Sequence, residues 1–217
     1  MAASSPLIAG FDAGQTHTTC RLAEAATGRV LAEGQGSGVS HLAAAGGAER
    51  FMAALRGSLA AALAQLHGTS SAMSAPGEDG LLAAAIGASG IEMGTAVQQQ
   101  GLTLAAEALG LPEAAVWVGG DERTALRGAF PAGPGIVVIS GTGTIAVGRD
   151  GRPTATGGRE HRCAGWGWIL DGAGSAYDIG RDGLALSLAM ADGRQPRTAL
   201  LALLWQGLEL DPADPQA

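Results

Sequence analysis

A segment near the amino terminus has the residues of a phosphate-binding turn. Its spacing is Asp12-x-Gly14-x-Thr16-x-Thr18, and it follows a short apolar run, Leu7 to Phe11, so we expect a strand, a turn and a second strand. Gly14 has no Cβ and lets a ligand approach the backbone, while turn amides and threonine hydroxyls suit phosphate oxygens. Asp12, at the strand end, is a candidate ligand for hydrated Mg²⁺. An ordinary polar hairpin is the alternative interpretation.

A second segment repeats this arrangement in the other half of the chain, as Ser140-Gly141-Thr142-Gly143-Thr144. Its alternating glycines expose backbone N–H groups, and its three hydroxyls supply further donors. Each segment occupies the first hairpin of its half, where two-lobed phosphotransferases hold a nucleotide from both sides. We therefore predict that the pair binds one nucleotide, with a glycine-rich hairpin that binds nothing as the alternative.

Asp121 follows a predicted strand, Ala114 to Val118, and opens a predicted helix. The simplest interpretation is a helix N-cap. A carboxylate at the carboxyl end of a strand also points into a ligand cleft, where it can accept the proton of an attacking hydroxyl during phosphoryl transfer. Both roles are compatible. The neighbouring Glu122 is assigned to the exposed first turn of the helix.

The fourth candidate segment combines glycine with tryptophan, as Gly165-Trp166-Gly167-Trp168, and Asp171 follows it. The apolar C–H faces of sugars stack on aromatic rings, and nearby amides bond their hydroxyl groups. This segment is therefore a candidate sugar site. The alternative is that both tryptophans fill the core beneath a loop.

The composition excludes several classes of enzyme. All 13 cationic residues are arginine, and P-loop NTPases, Schiff-base enzymes and protein kinases each need a lysine. The net charge of −7, without a basic block, argues against a nucleic-acid or anionic-membrane partner. No apolar run is long enough for a bilayer, and no signal-peptide pattern is present. We expect a cytoplasmic protein.

Cysteine and histidine form no metal-binding pattern. Cys20 and Cys163, the two cysteines, lie far apart, which indicates a reducing compartment and two small core residues. The four histidines are interpreted as surface or structural side chains. Of these, His161 lies near enough to the glycine–tryptophan segment to reach a substrate.

Both halves of the chain show the same predicted order of elements. The first has strands at 7–11, 18–24, 29–35, 81–88 and 114–118 and helices at 46–66, 95–109 and 122–130; the second has strands at 135–140, 144–149 and 153–156 and helices at 175–190 and 197–208. This repeat predicts two similar α/β lobes facing a cleft. We place the lobe boundary between 119 and 120, with the second lobe incomplete.

In this order, four segments resemble motifs of the BadF/BadG/BcrA/BcrD-type ATPases and, among these, the N-acetylglucosamine kinases of the actin/hexokinase/Hsp70 superfamily. The segments are GFDAGQTHT, GDERTALRGA, ISGTGTIA and GWGWILDGAGSAYDIG, and the resemblance extends over about 8–192. It implies two ribonuclease-H-like lobes around a nucleotide cleft, and an enzyme that uses ATP and Mg²⁺ to phosphorylate the 6-hydroxyl of an amino sugar.

The resemblance also implies a role for each candidate residue. Asp121 is the base. Asp12 and the residues after it contact the β- and γ-phosphates and the metal, and the second turn contacts the same phosphates; these residues are Asp12, Gly14, Gln15, Thr16, Thr18, Gly141, Thr142, Gly143 and Thr144. The implied sugar-binding residues are Ser40, Gly165, Trp166, Gly167 and Asp171.

Three departures from the family pattern fall on the sugar side. Gly120 stands where the family carries Asn before the catalytic Asp, and Ser40 lies in a loop where the family has another Asn. The usual GDEGS becomes DGAGS, 171–175, with its acid one residue early. Losing polar partners of a substrate can change selectivity by about 10⁴, so ATP is better supported than N-acetylglucosamine.

Members of this family are longer, and their late segment supplies the adenosine pocket and the last strands of the second lobe. We therefore expect an exposed sheet edge and apolar helix faces here, and either a homodimer or weak ATP binding. Two other functions stay open. One is a non-catalytic or decayed sugar- or nucleotide-binding module. The other is an ATPase that activates a partner enzyme through an iron–sulfur cluster, for which Cys20 and Cys163 lack clustered spacing.

Overall fold

The computed structural model describes residues 6–67, 80–152, 158–167 and 169–210. The chain divides after Pro131 into two compact units, which we call the first and second units. Within the described ranges, no helix has the length and apolar character needed to cross a membrane.

The first unit contains a five-stranded sheet in the order β3-β2-β1-β4-β5. Its strands are β1 Leu7–Ala13, β2 His17–Glu24, β3 Val30–Ser37, β4 Leu81–Ala88 and β5 Val116–Gly119. β2 is antiparallel to β1 and β3, and β1, β4 and β5 are parallel. The predicted strands are confirmed, but β5 starts two residues late because Glu113–Ala115 forms a 3₁₀ turn.

Helices α1 (Gly47–His67) and α2 (Ala96–Leu109) pack on the sheet. They bury apolar residues such as Phe51, Leu55 and Leu109 in one continuous core, which stabilises the unit by removing apolar surface from water. A Cβ on Gly34 would overlap the backbone of Ser58 and Ala62, so only glycine lets α1 pack this closely on β3.

Helix α3, Asp121–Ala129, belongs to the first unit. Leu126 is fully buried, and the side chain of Thr124 lies against Gly87 of β4. The lobe boundary is predicted between 119 and 120, and in the structure α3 packs on β4 and β1 within the first unit. The reason is that the apolar face of this short helix is covered by the strands that precede it.

The second unit contains strands β6 Gly135–Ser140, β7 Thr144–Arg149 and β8 Glu160–Ala164, followed by helices α4 Ala176–Ala191 and α5 Ala199–Gly207. The strands form an antiparallel sheet in the order β6-β7-β8. The strand predicted at 153–156 lies outside the described residues, and the strand that pairs with β7 is β8. Helices α4 and α5 are joined by a buried hydrogen bond in which Trp205 Nε1 donates to Ser187 Oγ at 3.0 Å.

The second unit has an exposed apolar surface on β6. Among the described strands, β6 pairs with β7 alone, and Ile136 and Val138 are 70% and 64% exposed. Leu188 of α4 and Leu203 of α5 are also exposed. The expectation of an open sheet edge with apolar helix faces is therefore confirmed.

Candidate functional site

The first unit brings Asp12 and Asp121 to the same edge of its sheet. Asp12 is in register with Gly87 of β4, and Gly87 is in register with Gly119 of β5. Asp121 follows Gly119 by two residues, and neighbouring strands lie about 4.8 Å apart. The negative charge of Asp12 contributes to raising the pKa of Asp121, so the two carboxylates interact electrostatically.

The environment of Asp121 suits a proton acceptor. Burial is the main cause that raises the pKa of its carboxyl group, and a hydrogen bond from the Glu122 N–H to Oδ1, at 2.9 Å, opposes it. A carboxylate with a raised pKa binds a proton more readily during phosphoryl transfer to an alcohol. The prediction that Asp121 is the N-cap is wrong, because Gly120 occupies that position and Asp121 is the first residue of the helix.

The β1–β2 turn is held by its own backbone and by the loop after β3. The Gly14 N–H donates to the His17 carbonyl at 3.1 Å, and the Val39 N–H donates to the Gly14 carbonyl at 2.9 Å. Gly38 lies so close to Gln15 that a Cβ there would overlap the turn. Gln15 and Thr16 are exposed at the tip, where a phosphate group can reach them.

Thr18 faces away from Asp12. Residues that pair across an antiparallel ladder share a face, and Thr18 pairs with Ala13 on the core side. Its side chain is fully buried, and its hydroxyl finds no partner within the described structure. Thr19, which the sequence analysis did not select, pairs with Asp12 and shares its face; only the strand register identifies it.

The second turn lies at the amino-terminal end of α4. The Ala176 N–H donates to the Gly141 carbonyl at 2.8 Å, and Ser140 Oγ donates to the Gly174 carbonyl at 2.7 Å. A Cβ on Gly141 or Gly143 would meet nothing within 4 Å, so space for a ligand borders both glycines. Helix amino termini attract anions, which favours phosphate at this turn.

The second turn also carries the hydroxyl groups of Thr142 and Thr144. Thr142 is exposed at the tip of the second turn, while the hydroxyl of Thr144 is buried and has no partner in the described part of the chain. Buried polar atoms are rarely left unpaired. The Thr144 hydroxyl is thus a buried polar group directly after the glycine turn for which the described residues supply no partner.

The glycine–tryptophan segment presents Trp166 to solvent. Its side chain is 80% exposed, and the Arg162 guanidinium lies 5.9 Å from the ring centre. The core-filling alternative is therefore wrong for Trp166, while Trp168 lies outside the described residues. Asp171 closes the loop, because its Oδ2 accepts the Trp166 N–H at 3.3 Å and its own N–H donates to the Gly167 carbonyl at 2.9 Å.

The loop after β3 carries a further pair of polar residues. The hydroxyl of Ser40 is buried, and no partner for it occurs in the described ranges. The His41 ring lies beside Gly90, in the loop after β4, and its Nδ1 accepts the Ala43 N–H at 3.3 Å. No signal in the sequence distinguished His41 from the other histidines.

The residues present fit Mg²⁺. The described residues contain no group of three or more His, Cys, Asp or Glu side chains arranged for a metal. Mg²⁺ in phosphoryl-transfer enzymes needs only one or two carboxylates, with water and substrate phosphates as the other ligands. Asp12, which is exposed, supplies one such carboxylate, and Asp121 lies at the same edge.

The two cysteines differ in their surroundings. Cys20 is fully buried, and burial raises the pKa of its thiol to about 12. Cys163 is exposed, so the expectation that both are core residues is wrong for Cys163. A buried thiol is a poor cluster ligand because the thiolate binds the metal, and Cys20 therefore fits the iron–sulfur alternative badly.

Comparison with known proteins connects this geometry to sugar kinases. No protein-family model matches the chain. An N-acetylmuramic acid/N-acetylglucosamine kinase of Clostridium acetobutylicum is 41% identical over 80 residues, 37% of this chain and 24% of that protein. An N-acetyl-D-glucosamine kinase of Dictyostelium discoideum is 40% identical over 76 residues, 35% of this chain and 22% of that protein.

The crystal structure of a proposed N-acetylglucosamine kinase from Chromobacterium violaceum matches 96% of this chain with a TM-score of 0.73 and 26% identity. The chain has the fold of the N-acetylglucosamine kinases. The predicted α/β sugar-kinase fold is thereby confirmed, although the wider BadF/BadG/BcrA/BcrD name has no matching family model. The match covers 66% of the Chromobacterium chain, so this chain spans about two thirds of that protein.

Proposed function

We propose that this protein is an ATP-dependent sugar kinase that phosphorylates the 6-hydroxyl group of N-acetylglucosamine or a related amino sugar. The observation that carries the proposal is the meeting of Asp12 and Asp121 at one strand edge, where burial and the Asp12 charge raise the pKa of Asp121. The names of the curated relatives and the common fold support the same activity.

Each candidate residue then has a distinct task. Asp121 accepts the proton of the sugar hydroxyl as that oxygen attacks the γ-phosphorus of ATP, while the bond from the γ-phosphorus to the bridging oxygen breaks and ADP leaves. Asp12 would hold Mg²⁺, directly or through water, and the ion would supply charge neutralisation there. The turns at Gly14 to Thr16 and Gly141 to Thr144 are proposed phosphate-binding segments of the first and second units.

The sugar-side assignment rests on the second unit and the loop after β3. The exposed Trp166 ring, flanked by Gly165 and Gly167, offers a flat apolar surface to a sugar. Asp171 holds the loop that carries this ring. Ser40 has a buried hydroxyl that a substrate hydroxyl group would satisfy.

The test is ADP release measured across a panel of hexoses and hexosamines, with an Asp121→Asn variant. We expect turnover with an amino sugar, a loss of roughly 10²- to 10⁴-fold in kcat for Asp121→Asn, and nucleotide affinity within a few fold of the parent. Glu49→Gln, an exposed acid in the first turn of α1, is the matched control. If no sugar stimulates ADP release while nucleotide still binds, the protein is a non-catalytic binding module.

We also propose that two copies associate through the exposed apolar surface of the second unit. The apolar side chains of Ile136 and Val138 on β6 support this association, since contiguous exposed apolar surface marks interaction sites. The proposed location is the cytoplasm.

A further inference from the structure

Glu122 is buried beside the proposed catalytic base. Its side chain was expected on the exposed first turn of α3, and that expectation is wrong, because Glu122 is only 8% exposed. An acid buried to this degree is unusual unless its carboxyl group is paired. A solvent-exposed position at the start of α3 therefore does not explain the burial of the Glu122 side chain.

The carboxyl group of Glu122 fills the space that a side chain at position 120 would occupy. A Cβ on Gly120 would lie 2.5 Å from Glu122 Cδ and would overlap its carboxyl oxygens. The backbone of Gly120, with φ −66° and ψ 147°, is one that any residue adopts. Backbone strain therefore does not require glycine here, and a side chain at position 120 would have to displace the Glu122 carboxyl group.

In this position Glu122 contacts Asp121 twice. Its backbone N–H donates to Asp121 Oδ1 at 2.9 Å, and its side chain makes a further hydrogen bond with the Asp121 carboxyl group, which lowers the pKa of Asp121. Two carboxyl groups form a hydrogen bond only when they share a proton. When Asp121 is ionised, the shared proton therefore lies on Glu122, which donates it in a hydrogen bond to the Asp121 carboxylate.

Charged side chains on β1 and α3 act on this pair. The charge of Asp12 on β1 contributes to raising the pKa of Asp121, and Arg123 Nε on α3 lies 3.9 Å from Glu122 Oε1. Strands β4 and β5, with the sequences LLAAAIGA and VWVG, contribute no titratable side chain. Glu122 is therefore the titratable neighbour whose side chain hydrogen-bonds to Asp121.

We propose that Glu122 is a positioning residue of the phosphoryl-transfer site: its carboxyl group, lodged over Gly120, holds the Asp121 carboxylate by a side-chain hydrogen bond. This inference rests on the proposed function, in which Asp121 accepts the proton. In this role Glu122 acts through Asp121 and is assigned no contact with the substrates.

The test combines two variants of Glu122 with one of Gly120. Glu122→Ala removes the hydrogen bond, and we expect kcat to fall roughly 10- to 100-fold, because small errors in orientation cost this much. KM for ATP should stay within about threefold, and the acid limb of the pH profile should move to higher pH, since Asp121 loses a bond that lowers its pKa. Glu122→Gln keeps a side-chain donor and should retain most of the parent kcat.

Gly120→Ala leaves Glu122 in the chain but displaces its carboxyl group, so it should reproduce the loss seen in Glu122→Ala. The double variant should lose no more than either single variant, since both act through one contact. Gly128→Ala is the matched control, because a Cβ at this α3 position meets nothing within 4 Å and should leave kcat unchanged.

The outcomes separate this inference from the proposed function. If Asp121→Asn abolishes turnover but Glu122→Ala and Gly120→Ala keep kcat and the pH profile of the parent, Glu122 has no positioning role. If Asp121→Asn keeps full turnover, the proposed function itself fails. If Glu122→Ala does not fold, the other two variants still test the positioning role. We expect kcat to fall in Gly120→Ala and to stay near that of the parent in Glu122→Gln.

Discussion

The side chain of Thr124 occupies the space beside Gly87 in which a β-carbon would lie. A Cβ on Gly87 would come 3.0 Å from Thr124 Cβ and 2.7 Å from Cγ2. Thr124 Oγ1 also donates to the Asp121 carbonyl at 2.7 Å. One threonine therefore connects the proposed base, at the start of α3, to the strand that carries Gly87.

Gly87→Ala should displace α3 from the sheet. We expect a loss of about 1–3 kcal/mol in the free energy of unfolding, as for other overpacked cores, together with a fall in kcat because Asp121 moves with the helix. Denaturant unfolding and ADP release measure the two effects. Gly57→Ala on α1, where a Cβ meets nothing within 4 Å, is the control, and equal effects of the two substitutions would contradict this explanation.

Asp121→Asn should stabilise the fold at neutral pH while strongly lowering kcat. The folded-state pKa of Asp121 is raised above 3.8 by burial first, so the folded state holds its proton more tightly than the unfolded state does. Stability is therefore lost as pH rises from 3.8 through the raised pKa. The Asn variant should have a higher free energy of unfolding than the parent at pH 7, and this difference should vanish below pH 3.8. Urea unfolding at a series of pH values measures it.

Asp150→Asn supplies a control of opposite sign. The Arg159 N–H donates to Asp150 Oδ1 at 2.9 Å, and this is the main cause that lowers the pKa of Asp150. The ionised Asp150 carboxylate therefore stabilises the fold above its ordinary pKa of 3.8. This stabilisation is lost as the pH falls through the lowered pKa. Asp150→Asn should therefore be destabilised at pH 7.

The explanation for Asp121→Asn would be contradicted if that variant were more stable than the parent by the same amount at every pH. Burial of the Asp121 charge would then not be the cause of the stabilisation.

Gly38→Ala should weaken nucleotide binding without disturbing the rest of the sheet. A Cβ at this position overlaps the backbone of Gln15 and Thr16, so the β1–β2 turn must move. We expect the Kd for ATP to rise roughly tenfold, which is about 1.4 kcal/mol, in isothermal titration. Gly10→Ala, in the open part of β1, should leave the Kd unchanged. Unchanged affinity in Gly38→Ala would exclude this turn from nucleotide binding.

Ile136→Thr and Val138→Thr together should weaken self-association. Both side chains are mostly exposed, so their replacement should change the free energy of unfolding by no more than about 0.5 kcal/mol each. We expect light scattering to show a dimer for the parent and a larger monomer fraction for the double variant. Leu82→Thr, at another exposed strand position, is the control. A parent that is monomeric at all concentrations would exclude the proposed association.

The sequence by itself determined most of the element order. Strands β6 and β7 and strand β4 were predicted with their observed bounds, and the helices were predicted to within a few residues. These predictions succeed because apolar periodicity and glycine-rich turns are local signals. The placement of Asp12 and Asp121 at the ends of strands was likewise a local inference. The structure adds that these strands belong to one parallel set, which brings their carboxyl ends to one edge.

Tertiary structure decided which side chains accompany those carboxylates. Thr19 rather than Thr18 shares the face of Asp12 because strand register assigns the faces. Glu122 is buried because Gly120 leaves room for its carboxyl group, and Trp166 is exposed because the loop closed by Asp171 holds it outside the core. Register and packing join residues far apart in the chain, so no local pattern of residue types contains them.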